Sequence, residues 1–403
     1  MELVSSGGGS VPIGAIVEFP INVNPGPDWI RANGVPVPLG TYPDYDAMAQ
    51  PLVAPQLGIA QVEEPMISSA AGSAEYPSAA FFNGKWYVHN YDDGYSNSDY
   101  GQLLSSVDRI TWTRHWRKQI TANGFRSIGI NTTADKLVVI PNSASYKPEI
   151  MALDGTFSTA PDTIATSSGQ TGTFYGTRYY GGKHWALGSG GIWHSADGLA
   201  WAYTAVPFIG IIYDIGYNPD ADQFMLVGAA GKIAMFDTNA VTNLREVATT
   251  DTSTLYCVTY ANERWTALGT SGRMVNSPDG VSVQYGVFDP GINQPGSIKW
   301  IEDLGLYMVA AVTRNLDGQS VFITSPDMET YESHILMRKD GTTRATGVSN
   351  FVVTNNTIMV TLNTATGGNV FTSVIPAVNQ ATHMAVPKAE SSGPLLAPWL
   401  KVA

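Results

Sequence analysis

The residues of this sequence that could do chemistry are spread out, and their types point to binding before catalysis. Arg126, Arg178 and Arg264 fall in separate β-rich segments; converging guanidinium groups would hold a carboxylate through paired N–H donors, whereas arginines dispersed along strands sit on a solvated rim. His89, His115, His184, His194, His334 and His383 show neither H-x-x-x-H nor H-E-x-x-H spacing, which rules out a zinc site on one helix. A ligand set gathered from distant segments stays open, but no metal or cofactor is expected. The acidic stretch from Asp92 to Asp99 has oxygen ligands enough for calcium but misses the D-x-D-x-D-G frame and the distal Glu, and reads as a solvated loop. Tyr91, Tyr95 and Tyr100 accompany that loop. Tyrosine supplies flat, amphipathic area at low entropic cost, which suits sugars and protein epitopes, so these three are the candidate receptor contacts. A role in covering a neighbouring subunit or a blade rim is the alternative. The one basic cluster, Arg114-His115-Trp116-Arg117-Lys118, reads as a solvated strand end.

The elements that must position these groups are strands. Short runs of Val, Ile, Tyr, Phe and Trp alternate with Gly, Asn, Asp and Pro clusters, and helical periodicity is almost absent, so the chain reads as all-β from about Glu75 onward. Ser195-Ala196-Asp197-Gly198-Leu199-Ala200-Trp201 sets a frame shared by Ser106-Val107-Asp108 with Trp112, Ser277-Pro278-Asp279-Gly280 with Val283, and Ser325-Pro326-Asp327 with Tyr331. An Asp carboxylate accepts hydrogen bonds from the N–H groups of a tight turn, Gly tolerates positive φ there, and the bulky residue four positions later re-enters the next strand facing the core. The first two intervals between these aspartates are nearly twice the third, so each holds two repeats, with degenerate copies at Asp154 and Asp237 and a last one at Ser373. A second repeat, a turn leading to a large apolar residue, recurs at Trp86, Leu137, Trp185, Phe224, Trp265, Tyr307 and Ile358. Both series count seven, and a repeat of this period means blades that bury their faces only against neighbours. The expectation is a seven-bladed β-propeller of four-stranded blades behind a small N-terminal module.

Bulk properties narrow the partners. Twenty-two Lys+Arg against 34 Asp+Glu give a net charge of −12, which disfavours nucleic acid and anionic lipid. Charged residues are only 14% of the chain, against about 25% in an ordinary globular domain. Cys257 is alone, so no intrachain disulfide forms and passage through an oxidising compartment is not supported. The start, Met1 to Val4 followed by Ser5-Ser6-Gly7-Gly8-Gly9-Ser10, reads as flexible linker and not as a signal peptide, and no apolar run reaches membrane-span length.

Two resemblances follow from these residues. The S-x-D-x-x-x-aromatic frame resembles the Asp-box repeats of sialidases, photosystem assembly factors and other propellers, in which such boxes are structural and lie on the outer rim. That resemblance assigns a turn-stapling role to Ser106, Asp108, Ser195, Asp197, Trp201, Ser277, Asp279, Ser325 and Asp327. A sialidase would also need an arginine cluster, a Tyr–Glu nucleophile pair and an Asp acid/base at the propeller centre; arginines are few here and the N-terminal Arg-Ile-Pro phrase is missing. Separately, Pro12-Ile13-Gly14-Ala15-Ile16-Val17-Glu18-Phe19, then Asn24 to Trp29, Asn33-Gly34 and Thr41-Tyr42-Pro43-Asp44-Tyr45-Asp46-Ala47-Met48 resemble, in order and spacing, the collar-type repeat of bacteriophage tail fibres, whose last segment starts a short helix. The family's insertion domain is absent, and the propeller would take its place.

The expected organisation is therefore a flexible N-terminus (1–10), a collar-like module (11–60), a linker (61–74), the propeller (75–388) and a C-terminal tail (389–403). The leading expectation is a non-enzymatic virion protein, a tail fibre or tip made in the host cytoplasm. Its partners would be other tail proteins and a bacterial surface receptor such as a polysaccharide, with homo-oligomerisation open. A purely architectural nozzle or tip subunit and a glycan-degrading depolymerase are the alternatives.

Overall fold

Second strands show why this sequence forms blades. Lys136–Pro141, Lys183–Gly188, Gln223–Gly228 and Arg264–Gly269 each bury every residue but the first, the continuous apolar pattern of strands covered on both faces. Fourth strands such as Ala202–Ala205 and Gln284–Val287 are mostly exposed. The computed structural model describes residues 16–20, 29–31, 37–38, 62–65, 74–92, 99–108, 111–120, 127–238, 240–289, 291–302, 305–314, 319–335, 348–354, 357–362, 369–374, 383–384 and 396–401. The chain forms two units, one of residues 59–300 and 307–374, the other of 1–58, 301–306 and 375–403.

The larger unit is a β-propeller. Six of its four-stranded antiparallel sheets are meanders of strands consecutive in sequence, spanning 74–120, 127–159, 174–205, 212–247, 255–287 and 292–335, numbered here as blades 1 to 6. A further four-stranded sheet, blade 7, joins Val348–Thr354, Thr357–Leu362 and Asn369–Val374 to Val62–Pro65, a strand that precedes blade 1. The sequence reading expects every blade to be complete within 75–388 and treats 61–74 as linker. Only six are complete in that way, and the last takes its outer strand from the supposed linker. The exchange gives both strands an edge partner and ties the two ends of the ring together.

Apolar clusters join neighbouring blades around the ring. Tyr87 and Leu103 of blade 1 meet Leu137 and Met151 of blade 2, and Val138 and Ile150 of blade 2 meet Trp193 and Trp201 of blade 3. Trp185 packs on Phe224 and Phe236 of blade 4, Met235 on Trp265 of blade 5, and Leu268 on Tyr307 and Ile323 of blade 6. Phe322 of blade 6 lies edge-on to Phe351 of blade 7 at 5.1 Å, and Met359 of blade 7 packs with Trp86 and Val88 of blade 1. First strands of successive blades line the inside of the ring. They approach so closely that a Cβ on Gly129 would fall 1.8 Å from Thr177 Cγ2 of blade 3, and one on Gly176 2.3 Å from the Tyr213 carbonyl of blade 4.

In the smaller unit, Ile16–Pro20 and Trp29–Arg31 pair on either side of Leu396–Lys401, and Val37–Pro38 pairs with His383–Met384. Leu396–Lys401, within the stretch expected to be a C-terminal tail (389–403), is therefore the central strand of this sheet, and residues 375–388 group with this unit and not with the propeller. Two short strands without an edge partner between 11 and 60 acquire one from the C-terminus. The segment Thr41–Met48, read as starting a short helix, lies outside the described residues.

Candidate functional site

Four Ser-x-Asp segments occupy one place in the fold, the turn between third and fourth strands of blades 1, 3, 5 and 6. In blade 3, Asp197 Oδ1 accepts from the N–H groups of Leu199 and Ala200 at 2.8 and 2.9 Å and from the Ser195 hydroxyl at 2.9 Å, while Ser195 Oγ accepts from Gly198 N at 2.9 Å. Asp279 and Asp327 repeat the pattern with Val281 and Ser282, and with Glu329 and Thr330. Asp108 accepts from the Ser106 hydroxyl at 2.9 Å and Thr111 N at 2.7 Å. The two turn N–H groups hold the Asp279 carboxyl far below its usual range. For Asp197, burial pushes the carboxyl up, and the donors from Ala200, Leu199 and Ser195 together outweigh it.

In the turns of blades 3, 5 and 6 the residue after Asp has positive φ: Gly198, Gly280 and, without glycine's freedom, Met328 at 62°; Arg109, after Asp108, lies outside the described residues. The expectation that the fourth residue after Asp faces the core holds for Trp112 and Trp201 and in part for Val283. It fails for Tyr331, which is 40% exposed, because the buried Met328 fills that core instead. Of the degenerate copies, Asp154 accepts from Thr156 N at 2.8 Å in the corresponding turn of blade 2. Among the described residues, the Asp237 carboxylate accepts from the side chains of Gln223, Asn243 and Arg245. This rim also carries ties between blades: Asn83 donates to the Leu153 carbonyl, Lys136 to that of Asp197, and Arg264 to that of Asp327.

The other sequence candidates disperse. Tyr91 and Tyr100 are in paired strands of blade 1, in register with Gly101 and Asp92 respectively, so two of the three tyrosines belong to an extended hairpin and not to a loop; Tyr95 lies outside the described residues. Of the acidic stretch, Asp92 and Asp99 are likewise in strands, and the residues between them lie outside the described ones. Arg126 is outside as well. Arg264 opens a second strand and caps the Asp327 turn, so it does not converge with Arg178, which is on a first strand. Arg114 is exposed on the outer strand of blade 1, while His115 bonds Ser105 Oγ at 2.7 Å and stacks on Tyr87. Among the described residues no group of three or more His, Cys, Asp and Glu side chains is placed to hold a metal ion.

What the ring does assemble is a polar cavity on its axis, about 250 Å³ in volume, lined from the first strands of blades 1, 2, 3, 6 and 7. Arg178 of blade 3 and Lys299 of blade 6 are its cations, accompanied by Ser78, Asn131, Thr132, Thr177, Tyr179, Tyr180 and Asn350. Arg178 pairs at 2.9 Å with Asp214 of blade 4, a carboxylate only 1% exposed that also accepts from Ile215 N at 2.9 Å and, across the next interface, from Val258 N at 3.0 Å. Asn131 donates to Thr177 Oγ1 at 3.0 Å and to the Arg178 carbonyl at 2.9 Å, which fixes the strand that carries the guanidinium. Lys299 donates to the Phe351 carbonyl and lies 4.7 Å from that ring's centroid. Burial, then repulsion from Arg178, brings the Lys299 ammonium down to about 7.

At the opposite end of the inner strands, β-bulges project one extra residue from each of three successive blades: Tyr175, Tyr213 and Tyr256. Their ring centroids lie 5.8 and 5.0 Å apart in sequence order, forming a partly exposed aromatic arc. Sequence reasoning missed both the arc and the Asp214 and Lys299 positions. A signal for the arc was present in the recurring triplets Phe174-Tyr175-Gly176, Ile212-Tyr213-Asp214 and Leu255-Tyr256-Cys257.

No family model and no curated protein matches this chain. Solved structures match its fold. A structure described as YCF48 bound to D1 peptide aligns over 80% of this chain and 99% of its own, with a TM-score of 0.55 at 10% identity. The WD40 β-propeller domain of Doa1 aligns over 77% of this chain and 97% of its own, with a TM-score of 0.52 at 10% identity. The extracellular domain of a putative one-component system, BT4673 from B. thetaiotaomicron, aligns over 77% of this chain and 39% of its own, with a TM-score of 0.54 at 11% identity. Identities this low carry the β-propeller fold alone.

Proposed function

We propose that the chain is a non-enzymatic recognition protein of a bacteriophage tail appendage, a fibre or tip component whose propeller binds a receptor on the host surface. The observation that carries recognition is the axial cavity, whose cations, amides and hydroxyls are gathered from five blades. Arg178, Lys299 and the hydroxyls of Thr132 and Tyr179 can donate to a ligand's oxygens, and Asn131 Oδ1 can accept from its hydroxyls. Hydrolysis of a glycosidic bond would instead use two carboxylates about 5 to 9 Å apart, and the lining residues are cationic or neutral. The turn geometry of Asp108, Asp197, Asp279 and Asp327 supports an Asp-box type of repeat with a structural role. The virion setting rests on the resemblance of residues 12–48 to the collar-type repeat. A propeller of the same fold has been solved bound to a peptide, and a ring of this kind serves here as a binding platform. The test is adsorption of phage from which residues 62–374 have been deleted: attachment should be lost, and normal attachment with intact particles would refute the receptor role.

A further inference from the structure

The charge inside the axial cavity does not balance. Two cations, Arg178 and Lys299, line it, and among the described residues the one carboxylate paired with either of them is Asp214. That carboxylate is committed: its oxygens take the Arg178 guanidinium and two backbone N–H groups. Arg178 carries five N–H donors; one from Nη2 goes to Asp214, one from Nη1 to the Thr177 carbonyl, and the Tyr180 hydroxyl is a further hydrogen-bond partner. Its side chain keeps 23% of its surface exposed. Lys299 has three donors, one of them spent on the Phe351 carbonyl. Two cations with donors to spare, lining one partly open cavity in a chain of net charge −12, make a local positive site where the bulk of the protein is negative.

We infer that this cavity binds a single monoanionic, hydroxyl-rich unit, with Arg178 and Lys299 on its charged group and Thr132, Tyr179 and Asn131 along its hydroxyls. The inference rests on the recognition reading above and names its ligand chemistry. Size suits one unit inside: the roughly 250 Å³, partly open space accommodates one acidic sugar or one polyol phosphodiester, with the rest of a longer chain left outside it. The net single positive charge matches a monoanion. Shared chemistry covers two sources, the carboxylate of a uronic-acid-type sugar and the phosphodiester of a polyol phosphate.

Calorimetry on the full chain at pH 6.5 with methyl glucuronide, diglycerol phosphate and methyl glucoside separates the sources. One of the two anions should bind at one site per chain, and the neutral glucoside at least tenfold more weakly. Lys299→Met should weaken the anion at least tenfold. Thr132→Trp, which fills the cavity without touching its charges, should abolish binding, and serves if Lys299→Met misfolds. Binding of neither anion, equal binding of the glucoside, or unchanged affinity in a folded Thr132→Trp variant overturns the inference. Adsorption separates the two claims: a chain that binds host cells but neither anion leaves the recognition reading standing and removes this ligand, whereas loss of the receptor role shows as phage that attach without the propeller.

Discussion

Replacing Asp214 by alanine should be among the most damaging single changes to this ring. The carboxylate lies where three blades meet: it belongs to blade 4, pairs with Arg178 of blade 3 and accepts from Val258 N of blade 5. Removing it strands two buried N–H groups, at about 1 to 3 kcal/mol each. It also leaves a largely buried guanidinium without its counter-ion, at about 3 to 5 kcal/mol for breaking such a pair. These penalties overlap because relaxation or water relieves both, so a combined loss of about 4 to 6 kcal/mol is expected, a large share of the 5 to 15 kcal/mol that holds a typical fold. Asp214→Asn keeps an acceptor but not the charge and should lose about 2 to 3 kcal/mol. Urea unfolding of the full chain followed by tryptophan fluorescence gives the numbers. Adding Arg178→Met to Asp214→Ala should restore at least 1 kcal/mol, because the uncompensated charge is then gone. A loss under 1 kcal/mol for Asp214→Ala, or a double variant as unstable as the sum of the singles, refutes the claim that this pair is coupled across the interface.

Asp197→Ala should cost about 1 to 3 kcal/mol through unmet turn donors, and Trp201→Ala about 3 to 5 from a cavity between blades 2 and 3; ligand binding lost in folded, undestabilised Asp197→Ala protein would show the turn to be functional instead. Burial, with Lys136 adding to it, holds the buried His184 down to about 4. The unfolded chain therefore takes up this proton first, and stability complete above pH 6.5 is lost as pH falls toward 4, by about 3 kcal/mol; the melting temperature of His184→Phe should show a shallower acid slope, and an identical slope would exclude this histidine. Anion affinity at the axial cavity should decline as pH rises through about 7, where Lys299 loses its charge. The charged groups facing it are Arg178 and Asp214, with the phenols of Tyr179 and Tyr180, so Lys299→Met should flatten the profile, and a flat wild-type profile counts against Lys299 as ligand.

The all-β class and the blade repeats were legible because each repeat carries its own local chemistry. Ser195-Ala196-Asp197-Gly198 specifies a turn through its own side chains, and Lys183 to Gly188 announces a doubly buried strand by its run of apolar residues. Closure was not legible, since nothing in Val62-Glu63-Glu64-Pro65 marks it as the partner of Asn369–Thr372; that pairing is set by the ends of the ring meeting. The C-terminal strand between Ile16–Pro20 and Trp29–Arg31 escaped for the same reason. The site was least visible of all. Arg178 stands out as one of few arginines, but its partner Asp214 and the second cation Lys299 come from other blades, and only inter-blade geometry selects them from other charged strand residues. Tyr91 and Tyr100 flank a polar, acidic stretch that reads locally as a loop, whereas the strand register that carries them into a hairpin is set by pairing with neighbouring strands.

In the proposed reading, the axial cavity of the propeller is what meets the host surface. The most direct test of this is competition: excess purified full-length protein is added to host bacteria before the phage, using wild type and the cavity-filled Thr132→Trp variant, with folding of both checked by melting temperature. Wild-type protein should block adsorption and the filled variant should not. Equal blocking by both would contradict the account and move the contact to another surface, and blocking by neither would remove receptor recognition from the propeller.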